Sequence, residues 1–221
     1  MRIAYVCADA GAPVFGQKGC SIHVQEVIRA FLKQGAVVEL FATRTGGNPP
    51  SDLTNVRLNQ LPALPKGNTE EREKASNAAN RDVRDALQNA GQFDFIYERY
   101  SLWSFAAMEY ARETNAPGIL EVNAPLVEEQ AKHRGLVNRE RAEQIAEKVF
   151  KEAFAVVAVS DAIAQYVSRR VKESERVYVV ANGVNPRHAF RQIKSHRCRR
   201  HPEFSPSVLS ELSSRGTDLN T

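Results

Sequence analysis

The residues from Gly16 to His23 have the types and the placement of a loop that binds an anion or a sugar. They follow an apolar run, Ile3–Cys7, that is typical of a buried parallel strand, and they lead into a helix. The first N–H groups of a helix have no internal partner and carry partial positive charge, so they attract phosphate. Gly16 and Gly19 lack a Cβ atom and would let such a group approach the main chain.

The loop matches neither the dinucleotide fingerprint G-x-G-x-x-G nor the P-loop G-x-x-x-x-G-K-[ST]. An ordinary strand-to-helix turn, with two glycines used for bending, therefore explains the local pattern equally well. In both readings Ser21 is predicted to be the N-cap of the helix, because its hydroxyl can accept a hydrogen bond from a free N–H group in the first turn.

Polar residues also follow the later predicted strands, in the segments 98–101, 121–123, 160–161 and 182–183. In open parallel sheets, ligands bind outside the carboxyl ends of the strands. We therefore expect these polar groups to lie along one edge of the sheet, together with the loop that ends at His23. Ser160 is predicted to cap the helix that follows it rather than to bind a ligand.

Seven apolar segments alternate with helical segments, which predicts a doubly wound, mostly parallel, Rossmann-like α/β sheet with helices on both faces. The apolar strand at 155–159 is predicted to be central. The predicted helices start at Ser21, Thr69, Leu102, Glu128 and Ala162, and the one from Glu128 to Glu152 is expected to break near Gly135. The predicted strands are Ile3–Cys7, Val37–Phe41, Val56–Leu61, Phe93–Glu98, Gly118–Val122, Ala155–Val159 and Val177–Val180.

The composition is that of an ordinary soluble globular protein, with 43% hydrophobic and 25% charged residues. No apolar run reaches the roughly 20 residues of a membrane span, and no leader precedes the first strand. These patterns predict a cytoplasmic protein with at most peripheral membrane contact. Cys7, Cys20 and Cys198 lack the spacing of a disulfide framework or of a metal site, and no metal site is predicted.

The last segment, residues 191–221, differs in composition from the rest of the chain. It holds six Lys/Arg and three Asp/Glu, and so accounts for +3 of the +4 formal charge of the chain. Because the remainder is nearly neutral, the basic balance does not predict nucleic-acid binding. This basic, Ser/Pro-containing tail is predicted to be disordered, or to be out of frame after an interruption near Phe190.

Residues 1–190 resemble the N-terminal domain of retaining, nucleotide-sugar-dependent glycosyltransferases of family 4, which have the two-domain GT-B fold. Two positions depart from the usual motifs: Cys20 stands where a second glycine is common, and Asn185 where an aspartate is common. The matching segments, in the order of the family, are the first strand, Lys18–Glu26, Tyr97–Ser101, Leu120–Leu126, Val159–Ala162 and Asn182–Pro186.

The resemblance implies that this domain binds the acceptor and that its glycine loop faces the diphosphate of the donor. The co-substrate would be a UDP- or GDP-sugar, with no further cofactor, and the acceptor a small molecule or a glycan- or lipid-linked group. Asn182 and Gly183 would begin an interdomain hinge, and no catalytic residue is assigned. The donor phosphate loop would be Gly16, Gly19, Cys20 and Ser21, and the acceptor or sugar site His23, Glu98, Arg99, Tyr100, Glu121 and Asn123.

Several of these residues keep a second explanation. His23 is equally explained as a solvated helix residue, and Glu98, Arg99 and Tyr100 as a group that pairs internally. In this family the C-terminal domain binds the nucleotide sugar, so the first hypothesis is a truncated glycosyltransferase domain that is inactive alone. The alternatives are a non-catalytic module that partners a separate donor-domain chain and, third, a Rossmann-type oxidoreductase.

Overall fold

The computed structural model describes residues 1–171 and 174–183, which form a seven-stranded sheet with helices on both faces. All six strand pairings are parallel, in the order β3-β2-β1-β4-β5-β6-β7. The predicted fold class is therefore confirmed. The strands are β1 (Arg2–Cys7), β2 (Val37–Ala42), β3 (Arg57–Gln60), β4 (Phe95–Arg99), β5 (Gly118–Val122), β6 (Ala155–Ala158) and β7 (Val177–Val179).

The chain order of the strands produces a switch point in the middle of the sheet. From β1 the chain builds outward to β3, then returns to the other side of β1 with β4 and builds outward to β7. Crevices at such switch points are the usual ligand sites of open α/β sheets. The central strand is β4, so the prediction that the apolar segment 155–159 would be central is wrong: β6 is paired on both sides but lies one strand from the edge.

The helices follow the predicted order, with corrected ends. The predicted helix from Thr69 to Ala90 is two helices that meet at Ala79. The predicted break at Gly135 is confirmed, and Gly135 has a φ of 78°, a conformation that suits glycine. The helices are α1 (Gly19–Lys33), α2 (Thr69–Ala78), α3 (Asn80–Ala90), α4 (Ala106–Glu113), α5 (Leu126–His133), α6 (Arg139–Glu152) and α7 (Asp161–Ser168).

The two faces of the sheet carry separate apolar cores because side chains alternate along each strand. On β1, Tyr5 and Cys7 face α1, whereas Ala4 and Val6 face the core formed with α3, α4 and α6. Burial of Cys7 raises the pKa of its thiol to about 12, so it is a small core residue and not a reactive thiol. The predicted boundary at residue 190 and the predicted tail lie outside the described residues.

Candidate functional site

Glu121, the fourth residue of β5, is the centre of a polar cluster on the α1 face of the sheet. Its side chain is buried, and each carboxylate oxygen accepts a short hydrogen bond. His23 Nε2 donates to Oε1 at 2.7 Å, and the Tyr97 hydroxyl donates to Oε2 at 2.6 Å. Helix α1 and strand β4 are therefore joined to β5 through one carboxylate.

Three further polar side chains extend this cluster toward the carboxyl edge of the sheet. Arg99 Nη1 lies 3.4 Å from Glu121 Oε1, and the Asn123 side-chain amide donates to the same oxygen. Asn182, beyond the end of β7, donates to Asn123 Oδ1 at 3.2 Å. Sequence segments that are far apart thus converge, as expected for the carboxyl ends of parallel strands.

Glu121 is ionised in this cluster. Burial opposes the charge, but hydrogen bonds from His23, Tyr97 and Asn123 outweigh burial and hold the pKa of Glu121 below its ordinary value. The pKa of Tyr97 is raised, first by burial and then by the charge of Glu121, so Tyr97 remains a proton donor. Because an ionised carboxylate only accepts, His23 carries its proton on Nε2 in this contact.

Asn182 is the exposed member of the cluster, and His23 and Arg99 also approach the surface, with side chains 14% and 13% exposed. Asn123 is half-buried, whereas Glu121 and Tyr97 are buried. A ligand at this edge would therefore meet Asn182, His23, Arg99 and Asn123 first. Glu121 and Tyr97 hold these groups in place from below.

The prediction that Ser21 caps α1 is wrong. The helix begins at Gly19, its N-cap is Lys18, and no side chain caps it. Ser21 is the third residue of the helix, and its buried hydroxyl has no hydrogen-bond partner among the described residues. Ser160, in contrast, is confirmed as the N-cap of α7, since its hydroxyl accepts from the Ile163 N–H group.

The loop before α1 is held by backbone contacts to the loop after β2. The Val14 and Phe15 N–H groups donate to Arg44 O at 3.0 Å and Thr45 O at 2.6 Å. Gly46 has a φ of 75°, and a Cβ atom there would lie 2.2 Å from Pro13 Cβ, so this position requires glycine. This second loop, which the sequence analysis did not include, fixes the N-terminal end of α1.

Two glycines of the predicted phosphate loop, Gly16 and Gly19, have different surroundings. A Cβ atom on Gly19 would have no neighbour within 4 Å, so open space lies beside the first turn of α1. Gly16 is enclosed, since a Cβ there would lie 3.0 Å from Pro13 and from the Ser21 hydroxyl. Gln25 was not predicted; its side chain is buried and donates to Val14 O and Gly16 O at 2.8 and 3.1 Å.

Glu98, Arg99 and Tyr100 do not form one cluster, because consecutive strand residues face opposite sides of the sheet. Only Arg99 contacts Glu121. Glu98 is buried on the other face, where the Ser104 hydroxyl donates to its Oε1 at 2.5 Å. Tyr100 packs against Phe150, with ring centroids 5.1 Å apart. The alternative in which the three residues pair with one another is therefore wrong.

A cavity of about 620 Å³ opens above Glu98, on the face of the sheet opposite α1. Segments that follow β1, β2, β3 and β4 line it, together with residues of α2, α3 and α5. The sequence did not predict this cavity, and of its lining residues only Ser101 was expected in a strand-end polar cluster. Its size is within the usual range for small-molecule pockets.

Within residues 1–171 and 174–183, no group of three His, Cys, Asp or Glu side chains is arranged to hold a metal ion. Over the same residues, no helix combines the length and the apolar character that a membrane crossing requires. Asn182 and Gly183, the predicted hinge, are both exposed.

Comparisons with solved structures agree with this fold at low sequence identity. HepE of Anabaena, in a complex with UDP and glucose, has a TM-score of 0.55 and 17% identity; the match covers 97% of this chain and 49% of that one. A sucrose-phosphate synthase structure from Thermosynechococcus elongatus has a TM-score of 0.53 and 15% identity, over 88% of this chain and 96% of that one.

The ligand-free UGT2 of Phytolacca americana also matches, with a TM-score of 0.53 and 13% identity over 87% of this chain. This chain spans about half the length of the UGT2 and HepE structures, at 55% and 49%. No curated protein sequence matches significantly. The structural likeness establishes the fold of the N-terminal half of a GT-B structure and, at these identities, nothing finer.

A sequence model of a protein family identifies the family, which the structural matches alone do not. The model for Glycosyltransferase Family 4 matches residues 18–188, which is most of the chain and includes α1, the Glu121 cluster and Asn182. The chain belongs to Glycosyltransferase Family 4.

Proposed function

We propose that this domain forms the acceptor side of an enzyme that transfers a sugar from a nucleotide sugar to an acceptor hydroxyl. A second domain, attached to this one or on a separate chain, would bind the nucleotide sugar. The observation that carries the proposal is the convergence of His23, Arg99, Asn123 and Asn182 around Glu121, in a chain of this family.

The start of α1 suits the diphosphate of the donor. Its first N–H groups have no side-chain cap, and the space beside Gly19 is open. Free N–H groups at a helix N-terminus bind phosphate oxygens and would stabilise the charge of a leaving diphosphate. The loop that carries them is fixed by its contacts to residues 44–46, so these donors are already oriented before a ligand arrives.

His23 and Asn123 suit the hydroxyl groups of the transferred sugar. Both carry polar atoms near the surface, and both are oriented by hydrogen bonds to Glu121. Holding an acceptor oxygen close to the anomeric carbon removes much of the entropic barrier to transfer. In this proposal Glu121 is a positioning residue, because its oxygens are already occupied by donors from the protein.

Titration of the ¹⁵N-labelled chain with UDP, GDP and inorganic pyrophosphate, followed by NMR, tests the diphosphate site. We expect the amide signals of Gly19, Cys20 and His23 to shift. The variant His23→Ala should shift less with UDP-glucose, whereas the matched surface variant Glu147→Gln should behave like the parent chain. Shifts confined to other parts of the sheet would overturn the proposal, as would saturable binding of NAD in place of these ligands.

A transfer assay tests the requirement for a second domain. The purified chain is incubated with UDP-glucose or GDP-mannose and a set of sugar and lipid-linked acceptors. We expect no turnover, because the proposal assigns most of the contacts to the nucleotide sugar to the other domain and only the diphosphate contact to this one. Robust turnover by this chain would show that assignment to be wrong, while leaving the acceptor role in place.

A further inference from the structure

Hydrogen bonds tie together the helices that line the cavity. Glu73, buried in α2, accepts from the N–H groups of Val137 and Asn138 at 2.8 and 2.9 Å and so ties α2 to the segment before α6. Asn80 accepts from the N–H groups of Phe105 and Ala106 at 2.8 and 2.9 Å and so ties α3 to α4. A preformed pocket of this kind loses little conformational entropy on binding.

The charges that line the cavity are balanced, so it has no excess of positive charge with which to select a phosphate. Four lining residues are basic and four are acidic, and a further acid, Glu98, is buried next to the lining residue Ser104, whose hydroxyl donates to it. The basic residues are Arg44, Lys66, Arg72 and Arg134, and the acidic residues are Asp9, Glu73, Asp82 and Glu129.

The remaining lining combines uncharged polar and apolar side chains, as a carbohydrate ring with hydroxyl edges and C–H faces requires. The apolar part includes Leu61, Leu102, Trp103 and Leu126. The hydroxyl and amide groups come from Thr43, Thr69, Ser76, Asn80, Ser101, Ser104 and Gln130.

While Glu98 is ionised, Ser104 has a fixed hydrogen-bond polarity, because an ionised carboxylate can only accept. Its hydroxyl proton is donated to Glu98 Oε1, so only the lone pairs of its oxygen remain for a ligand. Glu98 Oε2 has no hydrogen-bond partner among the described residues, although Glu98 is completely buried. Such a costly arrangement needs an explanation, and orientation of Ser104 provides one.

We propose that the acceptor bound in this cavity is an uncharged, polyhydroxylated ring, and that Ser104, oriented by Glu98, accepts a hydrogen bond from one of its hydroxyl groups. This inference rests on the proposed function, since it assigns the acceptor of the same reaction. It goes further in naming the chemical class of the acceptor and a residue that determines specificity.

The probes are three neutral compounds and their phosphorylated counterparts, titrated into the ¹⁵N-labelled chain at pH 8. The neutral set is myo-inositol, methyl glucoside and methyl mannoside, and the charged set is inositol 1-phosphate, glucose 6-phosphate and mannose 6-phosphate. We expect at least one neutral probe to shift the amides of Leu102, Ser104 and Arg134, with an affinity at least about tenfold above that of its phosphate.

Substitutions at one serine inside the cavity and one outside it provide the comparison. Ser104→Ala should weaken binding of the neutral probe about three- to tenfold, the usual effect of one lost hydrogen bond. Ser51→Ala, at an exposed serine that does not line the cavity, should leave the affinity unchanged. The titrations of the parent chain are decisive even if Ser104→Ala fails to fold.

Tighter binding of the phosphorylated probes would overturn the inference, and so would the absence of any shift at the cavity with all six probes. Equal loss of affinity in both serine variants would overturn the role of Ser104. Each of these results leaves the proposed function standing if UDP or pyrophosphate still shifts Gly19 and His23. The two proposals therefore fail separately.

Discussion

Glu98 and Glu121 lie near the carboxyl ends of neighbouring strands at equal depth, yet their environments give them opposite tendencies to ionise. Glu98 is 0% exposed and Glu121 is 1% exposed. Glu121 has four donors around it, and its pKa is lowered. Glu98 has one donor, Ser104, and burial raises its pKa to about 7. The number of hydrogen-bond donors, and not the depth of burial, decides the charge of a carboxyl group in this sheet.

This difference predicts different roles. Glu121, whose pKa is lowered and whose two oxygens both accept hydrogen bonds, organises the cluster on the α1 face. Glu98 can gain a proton near neutral pH and has one oxygen without a partner among the described residues. The following variants test the comparison, in order of decreasing expected effect.

Glu121→Gln should cause the largest loss of stability. The substitution removes the charge that the surrounding donors stabilise and leaves His23 and Arg99 without their carboxylate. Breaking a buried pair in this way lowers the free energy of unfolding by about 3–5 kcal/mol. Urea unfolding at pH 7 measures it, with Glu147→Gln as the exposed control. A loss below about 1 kcal/mol would show that the cluster does not stabilise the fold.

Glu98→Gln should increase the free energy of unfolding at alkaline pH, whereas Glu121→Gln should decrease it. A glutamate loses its proton near its ordinary pKa of 4.5 in the unfolded chain and near 7 in the folded chain. Between these values the folded state binds more protons, so Glu98 lowers stability increasingly as pH rises from 4.5 through 7. Well above pH 7, the buried charge of Glu98 lowers the free energy of unfolding by about 3 kcal/mol.

Removing the carboxyl group should therefore stabilise the chain by up to about 3 kcal/mol at pH 8 and by less than about 1 kcal/mol at pH 5. Thermal unfolding of the variant and the parent chain at both pH values provides the comparison. Equal effects at pH 5 and pH 8 would indicate that Glu98 ionises normally in the folded chain.

Tyr97→Phe should cost about 2 kcal/mol, because it removes one hydrogen bond to an ionised group. The ring contact with Tyr5, at 5.3 Å between centroids, should be retained. Tyr178→Phe on β7, where the side chain is exposed, is the control and should change stability by less than about 0.5 kcal/mol. Similar losses in the two variants would mean that the Tyr97 hydroxyl contributes nothing specific.

Ser104→Ala should have the smallest effect on stability, about 1 kcal/mol. The loss of stability is limited because Glu98, without this donor, can stay protonated and uncharged up to a higher pH. Chemical unfolding between pH 5 and pH 8 would detect this as a larger loss at pH 8. A loss of stability as large as that caused by Glu121→Gln would show that the surroundings of Glu98 and Glu121 do not differ as described.

The sequence was sufficient to predict the fold and the meeting of distant polar segments. Alternating apolar and helical segments imply a parallel sheet, and a parallel sheet brings strand ends to one edge. His23, Glu121, Asn123 and Asn182 were therefore expected to be neighbours, and the hydrogen bonds confirm this. The strand at 155–159 was misplaced because its composition distinguishes interior from edge strands but not one interior position from another.

The errors and omissions have identifiable causes. Glu98 and Arg99 are consecutive in a strand, and the two-residue period alone could have separated them. Ser21 was assigned as the N-cap because of its residue type, whereas the observed N-cap, Lys18, lies three residues earlier, after a loop that is held by backbone contacts. Gln25 and Gly46 act through contacts between loops that no local pattern reveals, and the cavity is formed by segments from across the sheet.

The contacts between residues 13–16 and 44–46 have a consequence for the proposed reaction. Backbone hydrogen bonds and the Pro13–Gly46 contact tether the glycine loop to the rest of the sheet. A loop tethered in this way is poorly suited to fold over a ligand like the flap of a lidded enzyme. In the proposed transfer, exclusion of water would then come from a second surface that approaches the site, while this loop would serve as its stationary platform.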